Sequence, residues 1–181
     1  MKHTIVIIFI LGLLGWVACK RSYQPPQPLR PYVVLIDFAE RPPVFSTGIT
    51  HGRQMLSSYG EGWLVADHLL VKVDPNDIAK RQNKHQKEQA FKGVIKFTIP
   101  ETATYDITLA YTQAPDYMPV DIVMDYKTRA LRTHANRVEP EKISFKATLY
   151  KGENKLVFLL NPTYDLTLCG LDYLLVTQPQ P

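Results

Sequence analysis

The sequence predicts an all-β fold, an antiparallel β-sandwich, from three observations. Short runs with apolar residues at every second position recur through the second half of the chain, which is the period of a half-buried strand. Fourteen prolines and nine glycines punctuate these runs, favouring many short strands over long helices. The chain of 181 residues is 45% hydrophobic, enough for one domain with a real core and too apolar for global disorder.

Taken in order, the chain opens with Lys2 and His3, followed by an almost wholly apolar stretch from Thr4 to Val17. That stretch falls short of the ~20 residues a membrane-spanning helix needs and reads as the core of a secretory signal. Small Ala18 precedes Cys19, Lys20 and Arg21. Residues 1–18 resemble a bacterial lipoprotein signal, which implies that Cys19 becomes the lipidated first residue; plain secretion with cleavage nearby is the competing reading. The resemblance implies a bacterial cell-envelope location, anchored to a membrane through lipid. Residues 19–31, including "KRSYQPPQPLRP", are rich in proline and have no apolar period. They form a tether that holds a domain away from a surface. The only other cysteine, Cys169, sits in an apolar run. It is expected to be a buried small hydrophobe, so no disulfide framework exists within the mature chain.

The folded part is expected over 32–177. "VVLIDF", Val33 to Phe38, is a buried strand, and Gly60 to Val73 suggests a turn followed by one or two short strands. Residues 75–91 read as a polar, basic insertion, either a solvated helix or a long loop. "VIKFTI" follows, then a turn at Pro100, then "TYDITLAYT" with Tyr105, Ile107, Leu109 and Tyr111 on one face. Ala114-Pro115-Asp116-Tyr117 interrupts the pattern. Pro115 stops the strand and Asp116 can tighten the turn, but neither explains Tyr117, which is expected near an exposed loop tip. "VDIVMDY" resumes with Val120, Ile122 and Met124 pointing one way. "ISFKATLY" leads to Lys151-Gly152-Glu153-Asn154, read as a hairpin turn with glycine where a positive φ is cheap. "KLVFLL" and "CGLDYLLVT" close the domain.

This order of elements resembles the carbohydrate-binding-module type of galactose-binding-like β-sandwich, a jelly roll, as in module families 6 and 35 and the accessory domains of bacterial glycoside hydrolases. The likeness is carried by "IPETATYDITLAYT", "TQAPDYMPVDIVMDYK", "LYKGENKLVFLL" and "GLDYLLV", in that order. Tyr126 stands where the pattern usually has glycine, in a "D-G-K"-like hairpin. The resemblance implies glycan or polysaccharide binding through loop aromatics and a few polar side chains. Flat rings stack on the C–H faces of pyranoses while hydroxyls need paired donors and acceptors. The candidates are Tyr59 and Trp63, Asp116 and Tyr117, and Asn161 and Tyr164. Rim packing is the alternative for Trp63, and turn formation for Asp116 and Asn161. The resemblance also implies a structural Ca2+ between acids of the first strand and an aspartate of the last, here Asp37, Glu40 and Asp172; the alternative is that Asp172 bonds a backbone amide or caps a turn.

Other classes find little support. The formal charge of +4 is too mild to argue for nucleic acid, and no nucleic-acid motif accompanies it. The five histidines show no metal-ligand spacing, no G-x-S-x-G is present, and no carboxylate pair is singled out as a glycosidase would need. The expectation is a non-catalytic carbohydrate-binding lipoprotein. The alternative is a structural or assembly lipoprotein that uses the same sandwich to contact an envelope protein.

Overall fold

The computed structural model describes residues 32–55, 67–80, 90–160 and 168–178. The signal and tether readings, and Tyr59, Trp63, Asn161 and Tyr164, lie outside the described residues. The described elements are β1 (Tyr32–Asp37), β2 (Val44–Phe45), β3 (Ile49–Met55), β4 (Asp67–Val73), helix α1 (Pro75–Lys80), β5 (Phe91–Ile99), β6 (Ala103–Gln113), β7 (Val120–Met124), β8 (Lys127–Leu131), β9 (Glu139–Leu149), β10 (Gly152–Leu160) and β11 (Leu168–Thr177). They form two antiparallel sheets, as expected. A six-stranded sheet runs β3-β4-β11-β6-β9 with β1 also on β11, and a five-stranded sheet runs β2-β5-β10-β7-β8.

The core lies between the sheets and follows the period-two pattern. Tyr105, Ile107, Leu109 and Tyr111 are all buried, as are Val120, Ile122 and Met124. Phe38, just past β1, meets Phe158 of β10 edge-on with centroids 5.5 Å apart, tying the two sheets together; burying such a ring stabilises by about 1.5–3 kcal/mol. The fully buried Tyr105 donates its hydroxyl to the Glu101 carbonyl at 2.8 Å, which holds the turn between β5 and β6. Cys169 is buried, with its thiol pushed up to about 12 by desolvation, so it is unreactive as a nucleophile. The basic insertion begins as the helical alternative. Pro75 occupies the first helical position, and the Asp74 carboxylate accepts from the Asn76 amide at 2.8 Å, a cap of the usual kind. Residues 81–89 of the insertion lie outside the described residues.

Two connections differ from the expectation. Gly152 does carry a positive φ of 100°, but Lys151–Asn154 does not make a hairpin. β9 pairs with β6, while β10 pairs with β5 and β7, so this turn carries the chain from the six-stranded sheet to the five-stranded one. The Ala114–Pro119 connection does the same between β6 and β7. Asp125–Tyr126 does make a tight hairpin, joining β7 to β8, with φ of 53° and 57°.

Candidate functional site

Because Ala114–Pro119 crosses between sheets, it must fold over the end of the sandwich. Ala114 is tied down on both sides, its amide to the Thr133 carbonyl at 3.0 Å and its carbonyl to the Ala135 amide at 3.3 Å. The Met118 amide donates to the Leu168 carbonyl at 2.9 Å, and the Thr133 hydroxyl donates to the Met118 carbonyl. Tyr117 forms a bridge with Leu168. The turn is therefore pinned to the first residues of β11, and only Pro115 and Pro119 remain exposed, with Asp116 half-buried.

Tyr117 does not stand at an exposed tip. It is 7% exposed. Its ring lies over Gly170, where an added Cβ would come within 3.1 Å of Tyr117 Cε2, 3.0 Å of Thr112 Cβ and 2.9 Å of His68 Cδ2. Glycine at 170 is thus what lets three side chains meet over β11. The Tyr117 hydroxyl lies 3.5 Å from His68 Nε2. His68 is buried and desolvation lowers its pKa, so the imidazole is held neutral.

Tyr117 meets described residues close in sequence to two of the predicted segments. His68 lies two positions after segment 56–66, which carries Tyr59 and Trp63. Leu168 directly follows segment 161–167, which carries Asn161 and Tyr164. Tyr117 touches both flanking residues. Sequence reasoning missed His68, Thr112 and Gly170. Their one available signal was glycine within the apolar run "CGLDYLLV", a mark of close approach in a strand.

The acidic residues divide. Asp172 is fully buried, and neither carboxylate oxygen has a hydrogen-bond partner among the described residues. It sits where β11 changes neighbours: β4 pairs through Leu171 and β1 begins at Tyr173, with a register irregularity against β6 between the same residues. Desolvation, then the Asp37 charge, push its pKa well up, while Lys142 offsets part of this. The backbone-amide alternative does not hold for this carboxylate; the Phe38 amide bonds the Asp172 main-chain carbonyl instead, at 2.9 Å. Asp37 is also pushed up by desolvation, and one of its oxygens accepts from the Ala39 amide at 2.8 Å. Glu40 does not join them. It pairs with Arg53 at 2.8 Å, and Arg53 also holds Asp67. Asp37 and the two orphaned oxygens of Asp172 suit a hard, oxygen-seeking cation, but calcium takes about six to eight oxygens. Among the described residues no three His, Cys, Asp or Glu side chains are grouped to hold a metal.

No protein-family model matches the sequence, and no curated protein is similar to it in sequence. Solved structures are similar in fold. The GH26-CBM35 β-(1,4)-mannanase of Podospora anserina superposes at a TM-score of 0.51 with 14% identity, the match covering 84% of this chain and 29% of that one. This chain thus matches less than a third of that enzyme's length. A family 35 carbohydrate-binding module from Clostridium thermocellum gives a TM-score of 0.45 at 11% identity, covering 81% of this chain and 99% of the module. The module CBM6cm-2 from Cellvibrio mixtus lichenase 5A, in complex with cellotriose, gives 0.48 at 11% identity, covering 83% and 100% respectively. The likeness to the mannanase establishes the shared fold, the β-sandwich expected from the sequence.

Proposed function

We propose that this chain is a non-catalytic carbohydrate-binding lipoprotein of the bacterial cell envelope, tethered through Cys19. The observation that carries this reading is the convergence on Tyr117: one buried ring touches the residues that flank both aromatic-bearing segments. In this reading Tyr117 is the floor of the site. Asp116 and the side chains of Tyr59, Trp63, Asn161 and Tyr164 make the sugar contacts. A rigid sandwich with contacts on its loops suits that task. Asp37 and Asp172 hold a structural calcium whose charge relieves the buried carboxylates, with backbone oxygens or water completing the shell.

The test is a glycan array probed with the chain from residue 19 onward carrying Cys19→Ser, which removes the lipid. Binding is expected, and Trp63→Ala or Tyr164→Ala should weaken it by about 1–3 kcal/mol. Absence of binding to every glycan would favour the assembly reading, in which the same face contacts an envelope protein. Anchoring is tested separately. Cys19→Ala should abolish metabolic lipid labelling and release soluble protein, and a wild-type chain without label overturns the anchor.

A further inference from the structure

We propose that the end of the sandwich where the chain enters β1 is a membrane-facing surface, whose tyrosines and lysines seat on a bilayer of anionic phospholipid.

The sheet registers bring one set of residues to that end. Tyr32 opens β1 and pairs with Thr177, the last residue of β11. Ala103, the first residue of β6, pairs with Leu149, the last of β9. Gly152, the first of β10, pairs with Ile99, the last of β5. The Tyr150–Lys151 connection is fastened to the turn before β6, because the Lys151 amide donates to Thr102 Oγ1 at 2.9 Å. The Asp125–Tyr126 turn is fastened to β9 beside it, because Asp125 Oδ2 accepts from the Thr148 amide at 3.1 Å. The Ala114–Pro119 turn follows the far end of β6, roughly 30 Å of strand away.

Tyrosines mark this end. Tyr32 is 45% exposed, Tyr126 95% and Tyr150 56%, and these are all the exposed tyrosines among the described residues. They come from three separate places in the chain, so no single turn's chemistry explains them. Tyr126 holds a φ of 57°, left-handed backbone in which a bulky ring is an outlier and glycine would serve the turn better. A ring with an apolar body and a polar tip is at home where hydrocarbon gives way to water.

Charge selects the surface. Lys127, Lys151 and Lys155 are exposed at the same end and make no ion pair among the described residues. The acids there are mostly engaged. Glu153 is held by Lys96 at 2.9 Å and Asp106 by Lys146 at 2.8 Å, and Asp125 is turned onto the Thr148 amide. That leaves Glu101, whose Oε1 accepts from Gln178 at 3.5 Å. Lysine is depleted from protein–protein interfaces, whereas each ammonium adds attraction near a negative lipid surface. A bilayer also lies within reach when Cys19 carries lipid, because the chain from Cys19 to Tyr32 spans at most about 45 Å. An acyl anchor by itself does not orient the domain. A second, surface contact does, and it directs the Ala114–Pro119 end away from the membrane.

This inference rests on the anchored reading for its membrane, and its test removes the lipid, so the two fail separately. The Cys19→Ser chain from residue 19 onward is sedimented with vesicles of phosphatidylglycerol and phosphatidylethanolamine and, separately, of phosphatidylcholine. Its Tyr126→Gly, Lys151→Glu and Lys72→Glu variants are compared. Lys72 is exposed at the other end, opposite Leu168 of β11, so the two lysine variants change the net charge equally. Tyr126→Gly relieves backbone strain and keeps the fold. The expected result is binding to the anionic vesicles and not to phosphatidylcholine, weakened about fivefold by Lys151→Glu, by a similar factor in Tyr126→Gly, and unchanged in Lys72→Glu. No binding to the anionic vesicles overturns the surface and leaves the anchor to lipid labelling at Cys19. Equal losses in Lys151→Glu and Lys72→Glu show attraction by net charge alone and overturn it as well, as does unchanged binding in both Tyr126→Gly and Lys151→Glu.

Discussion

Tyr117 and Tyr126 are the same residue in successive connections of the chain, and their fates are opposite. One is 7% exposed, the other 95%. The difference lies in what each connection joins. Ala114–Pro119 passes from one sheet to the other, so it must cover the end of the core, and whatever it carries is pressed onto β11. Asp125–Tyr126 joins neighbours within one sheet and projects past its edge, where the core cannot reach. A tyrosine in a turn is therefore not exposed or buried by virtue of the turn's own residues. The sheet to which the next strand belongs decides it.

The largest effect that would break this comparison is at Tyr117. Tyr117→Ala should destabilise the fold by about 3 kcal/mol or more, as loss of a buried ring does, measured by urea unfolding. Tyr117→Phe, which keeps the ring and gives up the 3.5 Å contact between its hydroxyl and His68, should cost about 0.5–1 kcal/mol. A loss below 1 kcal/mol for the alanine variant would mean that the ring is not core.

The same contrast explains how much was legible in the sequence. β6 was readable because Tyr105, Ile107, Leu109 and Tyr111 all face the core, and "VDIVM" and "KLVFLL" likewise print their burial as pattern. β2, β3 and β8 were not foreseen, and each is the outermost strand of its sheet. Residues 49–54 and "KTRAL" bury little, so the apolar alternation fades there, as it does at edges kept polar against further pairing. The turns were legible as stops, through Pro115 and Gly152, but turn chemistry says where a strand ends and not which sheet comes next. That is why the sequence alone suggests a hairpin at Lys151–Asn154 and an exposed tip at Tyr117. Among the acids, the resemblance singles out Asp37, Glu40 and Asp172 alike. It did not foresee Arg53, a distant residue that draws Glu40 away.

Asp172 sharpens the comparison at intermediate size. It lies two residues beyond Gly170, on which Tyr117 rests, and unlike that ring it gains nothing from burial as an anion. Asp172→Asn, neutral at every pH, should be more stable than wild type at pH 7 in chelator by about 1–3 kcal/mol. The sign follows from the raised pKa. The protonated acid is the form the fold favours, so wild-type stability from this group is complete below the usual 3.8 and is lost as pH rises through the raised value. The asparagine advantage should accordingly vanish near pH 3–4 and grow above it. Millimolar-scale calcium should raise the wild-type melting temperature, as binding to the native state alone does, and leave Asp172→Asn unmoved. A flat wild-type response to calcium removes the cation, and an asparagine variant less stable at pH 7 removes the buried charge.

The smallest expected effect tests the other half of the comparison. If Tyr126 projects from a hairpin and packs on nothing, its removal should cost the fold nothing. Its backbone should in fact relax. Asp-Gly is the pair that a two-residue turn with positive φ at both positions prefers, and Asp125 is already in place with its φ of 53°. Against the ~1–2 kcal/mol of left-handed strain relieved stands the ~0.5–1 kcal/mol that glycine adds to the entropy lost on folding. Tyr126→Gly should therefore stabilise by roughly 0.5–1 kcal/mol, seen as a higher urea midpoint with unchanged slope. Set beside Tyr117→Ala, the two variants should move stability in opposite directions, although both remove a tyrosine from a turn. A loss of 1 kcal/mol or more in Tyr126→Gly would show that the ring is packed after all. It would then be a structural residue, and its strain would need no ligand to account for it.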